Sequence, residues 1–144
     1  MNLRIIAAGR LRGAYADMCS EYIKRMTCRV TIDEIPSASV KEEGKEMLGA
    51  VPKDAFVVAL DEKGVDLSSH ELAVKLQTWQ ESRAKALVFI IGGADGLSED
   101  VKNRADFLLG LGRKTWPHHL ARIMLLEQLY RAQQINSGHP YHRK

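Results

Sequence analysis

Cysteine is scarce in this chain of 144 residues, and long apolar runs are missing. The two cysteines, Cys19 and Cys28, lack the Cys-x-x-Cys spacing of zinc and redox sites, so we expect buried free thiols. The longest apolar run, Ala86–Ile91, is far shorter than the roughly 20 residues that a membrane-spanning helix needs. The amino terminus, Met1-Asn2-Leu3-Arg4, carries no secretory pattern. These absences favour a soluble cytoplasmic protein.

A net positive charge is also lacking over most of the chain. Residues 113–144 hold six Lys or Arg against one acid, Glu127, and four of the five histidines. This segment therefore carries +5, and because the whole chain carries +3, residues 1–112 carry −2. A basic segment confined to one end predicts a polyanionic partner such as RNA.

Short β-like runs alternate with amphipathic helical patterns along the chain, with no repeat, linker or low-complexity segment between them. A chain of this length suits a single domain, here residues 1–144. Strict alternation predicts an α/β fold, with a mainly parallel sheet and helices on both faces. The predicted strands are 3–8, 28–35, 55–61, 87–91 and 107–111, and the predicted helices are 14–26, 40–51, 69–83, 99–104 and 117–136.

The closing helix carries more apolar residues than one sheet face can bury. Leucines, isoleucines and a methionine occupy more than one stripe between Leu120 and Ile135. Either this helix is deeply internal or it also packs against a second subunit. We favour the second alternative, and so expect a homodimer.

Two loops follow predicted strands and together form a candidate binding site. Gly92, Gly93 and Gly96 follow a buried strand, where glycine lets the backbone approach a ligand. A ligand-free tight turn would use the same residues. The spacing matches neither the dinucleotide fingerprint nor a triphosphate-binding loop, which disfavours nicotinamide cofactors and ATP.

The second loop, residues 111–116, leaves the last strand and ends at Pro117, which suits a first helical turn. A pocket with Leu60, Leu111 and Trp116 as walls would accept a flat purine. The alternative is that Thr115 and Trp116 only cap the helix.

Histidines flank the closing helix, at His118-His119 and at His139-x-x-His142. No further ligands have a recognisable metal-binding spacing, so we do not expect a metal. Histidines beside Arg143 and Lys144 suit phosphate contact or proton exchange near neutral pH, and Tyr141 can stack on an unpaired base. A disordered basic tail is the alternative.

These motifs closely resemble those of the ribosomal RNA large-subunit methyltransferases of the SPOUT superfamily, which methylate N3 of a pseudouridine. The resemblance covers essentially the whole chain. It rests on Ile91-Gly92-Gly93-x-x-Gly96-Leu97-Ser98, Thr115-Trp116-Pro117-His118-x-Leu120-x-Arg122, Glu127-x-Leu129-Tyr130-Arg131-Ala132 and His139-Pro140-Tyr141-His142.

The resemblance implies a carboxyl-terminal trefoil knot, a homodimer, S-adenosylmethionine (AdoMet) as methyl donor, and 23S ribosomal RNA in the assembled ribosome as substrate. Cofactor contacts are implied for Leu60, Gly92, Gly93, Leu111, Gly112, Arg113, Lys114, Thr115, Trp116 and Pro117. Catalytic or target-side roles are implied for His139, Tyr141, His142 and Arg143. Among these, His142, before His139, is the candidate base, and Arg143 would stabilise charge on the uracil oxygens. Trp116 stands where a smaller side chain is expected, which would alter the shape of the pocket.

Two other functions stay open on the sequence. One is a non-catalytic RNA-binding module of ribosome assembly, which would leave the glycine loop empty. The other is a SPOUT methyltransferase of a different RNA, such as transfer RNA. Calorimetry with AdoMet separates the first from both methyltransferase hypotheses.

Overall fold

A computed structural model describes residues 2–143 of the chain, so the parts of the predictions that fall on Met1 and Lys144 lie outside the described residues. Strands and helices alternate throughout. The strands are β1 Leu3–Ala8, β2 Val30–Ile35, β3 Ala55–Asp66, β4 Ala86–Ile91 and β5 Phe107–Gly110. The helices are α1 Gly13–Arg25, α2 Val40–Ala50, α3 Ser69–Gln80, α4 Glu99–Arg104 and α5 His118–Asn136.

The five strands form one sheet in the order β2-β1-β4-β3-β5, and every neighbouring pair is parallel. Successive side chains of a strand point to opposite faces, which divides the core in two. Leu3, Ile5 and Phe89 face the side covered by α1, α3 and α5. Ile6 and Ile90 face the side covered by α2 and α4. The predicted α/β class, with helices on both faces, is confirmed.

Local capping signals explain where several helices begin. Ser68 and Glu71 form the predicted capping box, in which each side chain accepts from the other residue's amide. Ser98 caps α4 by accepting from the Val101 amide. Pro117 is the N-cap of α5 rather than part of its first turn, so that detail of the prediction was wrong.

Strand β3 runs five residues beyond its predicted end at Asp61 because it meets β5 twice. Leu109 pairs first with Leu60 and then with Val65, so the intervening residues bulge out of the ladder. After the bulge, β3 comes back against β5 at Gly64. An added Cβ at Gly64 would lie 2.6 Å from the backbone carbonyl carbon of Leu109. Glycine is therefore required at this crossing. The trefoil knot stays a prediction.

Helix α5 is internal, which is the alternative that the sequence analysis did not favour. It packs between α1 and α3 on one sheet face, and Leu125, Leu126, Leu129 and Ala132 are fully buried there. Flanking helices on both sides explain the wide apolar surface without a second subunit. The apolar content of α5 therefore does not by itself argue for a dimer.

No helix within residues 2–143 is long and apolar enough to cross a membrane. Over the same residues, no group of three or more His, Cys, Asp or Glu side chains is arranged to hold a metal ion. Cys19 is buried and Cys28 partly buried, and both are free thiols.

Candidate active site

A cleft lies at the carboxyl edge of the sheet, where β3, β4 and β5 end side by side. Its walls come from the end of β3 at Leu60, the glycine loop after β4 and the loop between β5 and α5. Ligands of open α/β sheets bind at this edge, outside the carboxyl ends of the strands. The lining residues are Leu60, Asp61, Glu62, Ile91, Gly92, Gly93, Ala94, Asp95, Gly96, Leu97, Lys102, Leu109, Leu111, Gly112, Lys114, Thr115, Trp116, His118 and Ala121.

The glycine loop closes on itself tightly. The Gly96 amide donates to the Gly93 carbonyl at 3.1 Å, and a Cβ on Gly92 would lie 2.6 Å from the Gly96 oxygen. Behind the loop, a Cβ on Gly93 would lie 3.2 Å from a Glu43 carboxylate oxygen. Glycine is therefore needed at positions 92 and 93 because the loop backbone and the Glu43 carboxylate leave little room for a Cβ. A ligand bound in the cleft would add to this need.

Two hydrogen bonds hold the loop between β5 and α5, one to β3 and one within the loop itself. Thr115 Oγ1 donates to Glu62 at 2.7 Å, and Trp116 Nε1 donates to the Leu111 carbonyl at 2.9 Å. Neither side chain caps α5, whose N-cap Pro117 receives no side-chain hydrogen bond. The structure therefore contradicts the alternative in which Thr115 and Trp116 only cap the helix. Trp116 remains 41% exposed at the mouth of the cleft.

The cleft brings together eight of the ten residues predicted to contact the cofactor, while Arg113 and Pro117 are not among its lining residues. Sequence reasoning missed the charged residues Asp61, Glu62 and Lys102 as well as His118. Asp61 and Lys102 form an ion pair in the lining of the cleft, with 3.8 Å between carboxylate and ammonium. Asp61 and Glu62 directly follow Leu60, a predicted site residue. This adjacency is the one feature of the sequence from which they could have been predicted.

Comparison with known proteins shows which family the chain belongs to. The family model described as "Predicted SPOUT methyltransferase" matches residues 1–142. The chain belongs to the SPOUT methyltransferase family. Membership makes the chain a methyltransferase and agrees with the resemblance in its glycine loop and closing motifs.

Named relatives of this methyltransferase match it from end to end. The "Ribosomal RNA large subunit methyltransferase H" of Rhodospirillum centenum is 47% identical and covers 99% of each chain. The protein of the same name from Erythrobacter litoralis is 44% identical, again over 99% of each chain. Among solved structures, the SpoU methyltransferase AviRb of Streptomyces viridochromogenes, in complex with the cofactor AdoMet, has a TM-score of 0.51 at 11% identity. That match covers 93% of this chain and 58% of AviRb, and it supports the fold alone.

His118 begins α5 of the SPOUT methyltransferase and lines the cleft. Burial, the neighbouring His119 and Arg122 lower the pKa of His118, and the opposing pull of Glu43 is smaller. Its place at the positive end of a helix also disfavours the charged ring. The ring is therefore neutral near pH 7.

Arg122, one turn further along α5, ties three elements of the methyltransferase together. Its guanidinium donates to Glu34 at the end of β2, at 2.5 Å, and to the Gly9 carbonyl after β1, at 3.0 Å. The arginine side chain is only 3% exposed, whereas that of Glu34 is 32% exposed. Burial alone would raise the pKa of Glu34. The hydrogen bonds from the Leu11 amide and from Arg122 together have the larger effect, so the pKa of Glu34 lies below its ordinary value.

Replacing Glu34 by Gln is expected to destabilise the methyltransferase by about 2 kcal/mol at pH 7, because Arg122 would keep a buried charge without its counter-ion. The carboxylate has a folded-state pKa below its ordinary value of 4.5. Its contribution is therefore present above that value and is lost as the pH falls through the folded-state pKa. Urea unfolding of wild type and Glu34→Gln between pH 3 and pH 8 measures both effects.

Asp33→Asn is the matched control, since it removes the neighbouring carboxylate from a half-exposed pair with Arg4. Surface pairs of this kind contribute at most about 1 kcal/mol. Equal losses in the two variants would show that Arg122 does not depend on Glu34.

The carboxyl-terminal tail packs against α5 of its own chain, away from the cleft. Tyr141 lies with its ring centre 4.7 Å from that of Tyr130, and Arg131 lies over Tyr141 at 4.9 Å. Arg131 also contacts His142 Nδ1 at 3.0 Å. Of the described tail residues, none lines the cleft. The structure therefore does not bring the predicted cofactor residues and the predicted target-side residues together within one chain.

Proposed function

We propose that this SPOUT methyltransferase, a single domain over residues 1–144, transfers a methyl group from AdoMet to N3 of a pseudouridine in 23S ribosomal RNA. The assembled large subunit in the cytoplasm is the proposed substrate. The observation that carries the proposal is the cleft, which gathers eight residues of the cofactor motif at the carboxyl edge of the sheet. The names of the full-length relatives support ribosomal RNA as the acceptor.

The lining of the cleft suits AdoMet in its apolar walls and its charge. Gly96 and Gly112 have φ values of 82° and 88°, and a Cβ on either would meet no atom within 4 Å, so their backbone leaves open room for a ligand. Leu60, Leu109 and Leu111 supply apolar walls for the adenine. Three carboxylates and two lysines line the cleft, and this slight negative excess suits a cationic sulfonium.

When bound, AdoMet supplies a methyl group on a positively charged sulfur, which needs little further activation. The work of the protein is therefore to position the acceptor base and to assist loss of the N3 proton. The β5–α5 loop, held to β3 through Thr115 and Glu62, keeps the cofactor side of the cleft in place. The proposed target-side groups are His139, Tyr141, His142 and Arg143.

A second protomer is proposed to deliver those tail residues, because the tail of each chain packs away from its own cleft. An exposed apolar patch supports a homodimer through the first turns of α1 and α5. Tyr15, Met18 and Leu120 are 43%, 47% and 36% exposed, and Tyr15 packs on His119 with ring centres 4.4 Å apart. The trefoil knot implied by the resemblance is part of the same proposal.

Leu120→Glu is expected to yield monomers that have lost methyl transfer, because the substitution places an unpaired charge in the proposed interface. Sedimentation equilibrium measures the mass, and a methylation assay measures activity. Val74→Glu is the control, since Val74 is 65% exposed on α3, outside the patch. A monomeric and fully active wild-type protein would contradict the homodimer and the shared site together.

The proposed function is tested by incubating the protein with methyl-labelled AdoMet and, separately, large subunits, free ribosomal RNA and transfer RNA. We expect label in the large-subunit RNA and one AdoMet site per protomer by calorimetry. Binding of RNA without AdoMet binding would favour the assembly module. Label confined to transfer RNA would favour the other methyltransferase hypothesis.

A further inference from the structure

We propose that His118, in the same chain as the bound cofactor, is the base that takes the N3 proton of the acceptor uracil. This inference rests on the proposed function and adds a catalytic residue to it. The tail histidines then bind and orient the target rather than accept its proton. The proposal follows from where the histidine rings lie and which of their nitrogens are engaged.

His118 lies where two strand ends meet the cleft. Its Nε2 lies 3.9 Å from the position that a Cβ on Gly9 would take, at the end of β1, and the ring lines the same cleft as Gly92 and Gly93. It is the one histidine among the lining residues in the described part of the chain. A base must reach the proton within hydrogen-bond distance, so a ring in this wall is correctly placed.

The tail histidines use their acceptor nitrogens elsewhere. An arginine side chain can only donate, so the 3.0 Å contact of Arg131 Nη1 makes His142 Nδ1 the acceptor. The amide of Tyr141 donates to His139 Nδ1 at 3.2 Å. In a neutral imidazole the other nitrogen, Nε2, then carries the hydrogen. The His142 ring also packs on His70, with ring centres 4.8 Å apart. In both tail histidines, Nδ1 therefore faces a donor of the same chain.

The charges around His118 favour a neutral ring that can be stabilised once it is protonated. From α5 it faces His119 and Arg122, and from α2 it faces Glu43. The charged residues elsewhere in the cleft lining are Asp61, Glu62, Asp95, Lys102 and Lys114. Burial, His119 and Arg122 together outweigh Glu43 and lower the pKa of His118, so the ring is ready to accept a proton.

Glu43 is the proposed positioning residue. It is only 6% exposed, and its Oε2 accepts from the Ala38 amide at 3.0 Å behind the glycine loop. A carboxylate in this position stabilises the imidazolium as it forms, which is the role of the acid partner in other histidine-based sites.

The proposed step balances without any further reactant. The N3–H bond breaks, its proton passes to the His118 imidazole, and its electron pair forms the new bond to the methyl carbon. The electrons of the carbon–sulfur bond remain on sulfur, which becomes a neutral thioether. The imidazolium then releases its proton to water.

His118→Asn tests the proposal against Thr78→Ala, a substitution on the exposed side of α3 that lies outside the cleft wall and the proposed interface. We expect single-turnover methylation of large subunits to fall about 10²- to 10⁴-fold in His118→Asn. AdoMet affinity by calorimetry should change by less than about tenfold, or 1.4 kcal/mol, and Thr78→Ala should stay close to wild type. A His118→Asn protein that binds AdoMet and methylates at the wild-type rate would overturn the proposal.

The pH dependence of the single-turnover rate separates a base from a structural residue. Wild-type activity should decline on the acid side as His118 becomes protonated, and this decline should be absent from the residual activity of His118→Asn. In Glu43→Gln the decline should move to lower pH, because the imidazolium loses a stabilising charge. An acid decline that persists in His118→Asn but disappears in His142→Asn would assign the base to the tail.

Two further measurements keep the test decisive if His118→Asn does not fold. Added imidazole should partly restore the rate of His118→Ala, and a histidine NMR titration of the wild-type protein should show His118 with a pKa below 6.5. Lack of rescue together with a raised pKa would overturn the proposal. Failure of the proposed function is distinguishable, because the wild-type protein itself would then not methylate ribosomal RNA.

Discussion

Deletion of residues 141–144 is expected to abolish methyl transfer while leaving AdoMet affinity nearly unchanged. Tyr141 packs on Tyr130 and His142 contacts Arg131, and none of the deleted residues that the structure describes lines the cleft, so the cofactor side should stay intact. Loss of target positioning costs at least about 10²-fold in rate. Calorimetry with AdoMet and single-turnover methylation of large subunits measure the two effects on one sample.

Mixed dimers provide the control for this deletion. The truncated chain keeps a working cleft but lacks the tail, and a Gly92→Val chain keeps the tail but has a damaged cleft. Mixing the two should restore activity, because one intact site forms in each mixed dimer if the tail acts on its partner's cleft. A truncated protein that methylates ribosomes at the wild-type rate would show that the tail is a dispensable appendage.

Gly92→Val is expected to weaken AdoMet binding by about 10- to 100-fold, which is 1.4 to 2.8 kcal/mol. A Cβ at this position would lie 2.6 Å from the carbonyl oxygen of Gly96 and 2.7 Å from its carbon. Both atoms are backbone, so the glycine loop must open instead of a side chain moving aside. Calorimetry with AdoMet, after circular dichroism has shown a folded protein, measures the loss.

Gly49→Ala is the matched control for the glycine loop. Gly49 lies in α2, and an added Cβ there would meet no atom within 4 Å. The substitution should leave AdoMet affinity unchanged and stabilise the protein by about 0.5 to 1 kcal/mol, since glycine is unfavourable inside a helix. Wild-type AdoMet affinity in folded Gly92→Val would remove the glycine loop from the cofactor site.

The order and type of all ten elements could be predicted from the sequence, because strand-like runs and helical periodicity report directly on burial. What failed depends on contacts between distant segments. The continuation of β3 to Asp66 depends on Leu109 pairing twice, and no local pattern carries that information. The depth of α5 depends on α1 and α3 covering it from both sides.

Part of the candidate site could likewise be predicted from the sequence, and part could not. The two strand-end loops could be predicted, since glycine and the loop motifs mark them in the sequence. The groups around His118 could not, because Glu43 and Gly9 come from other elements and meet it only in the folded chain. The Arg122–Glu34 pair joins residues 88 positions apart, and a buried arginine has no signature in sequence.

Mass-spectrometric mapping of methylated nucleosides in ribosomal RNA, from cells with and without the gene, tests the central claim most directly. We predict that one N3-methylated pseudouridine of the large-subunit RNA disappears without the gene, and that purified protein with AdoMet restores it on the isolated large subunits. Large-subunit RNA with an unchanged set of methylated nucleosides would contradict the account.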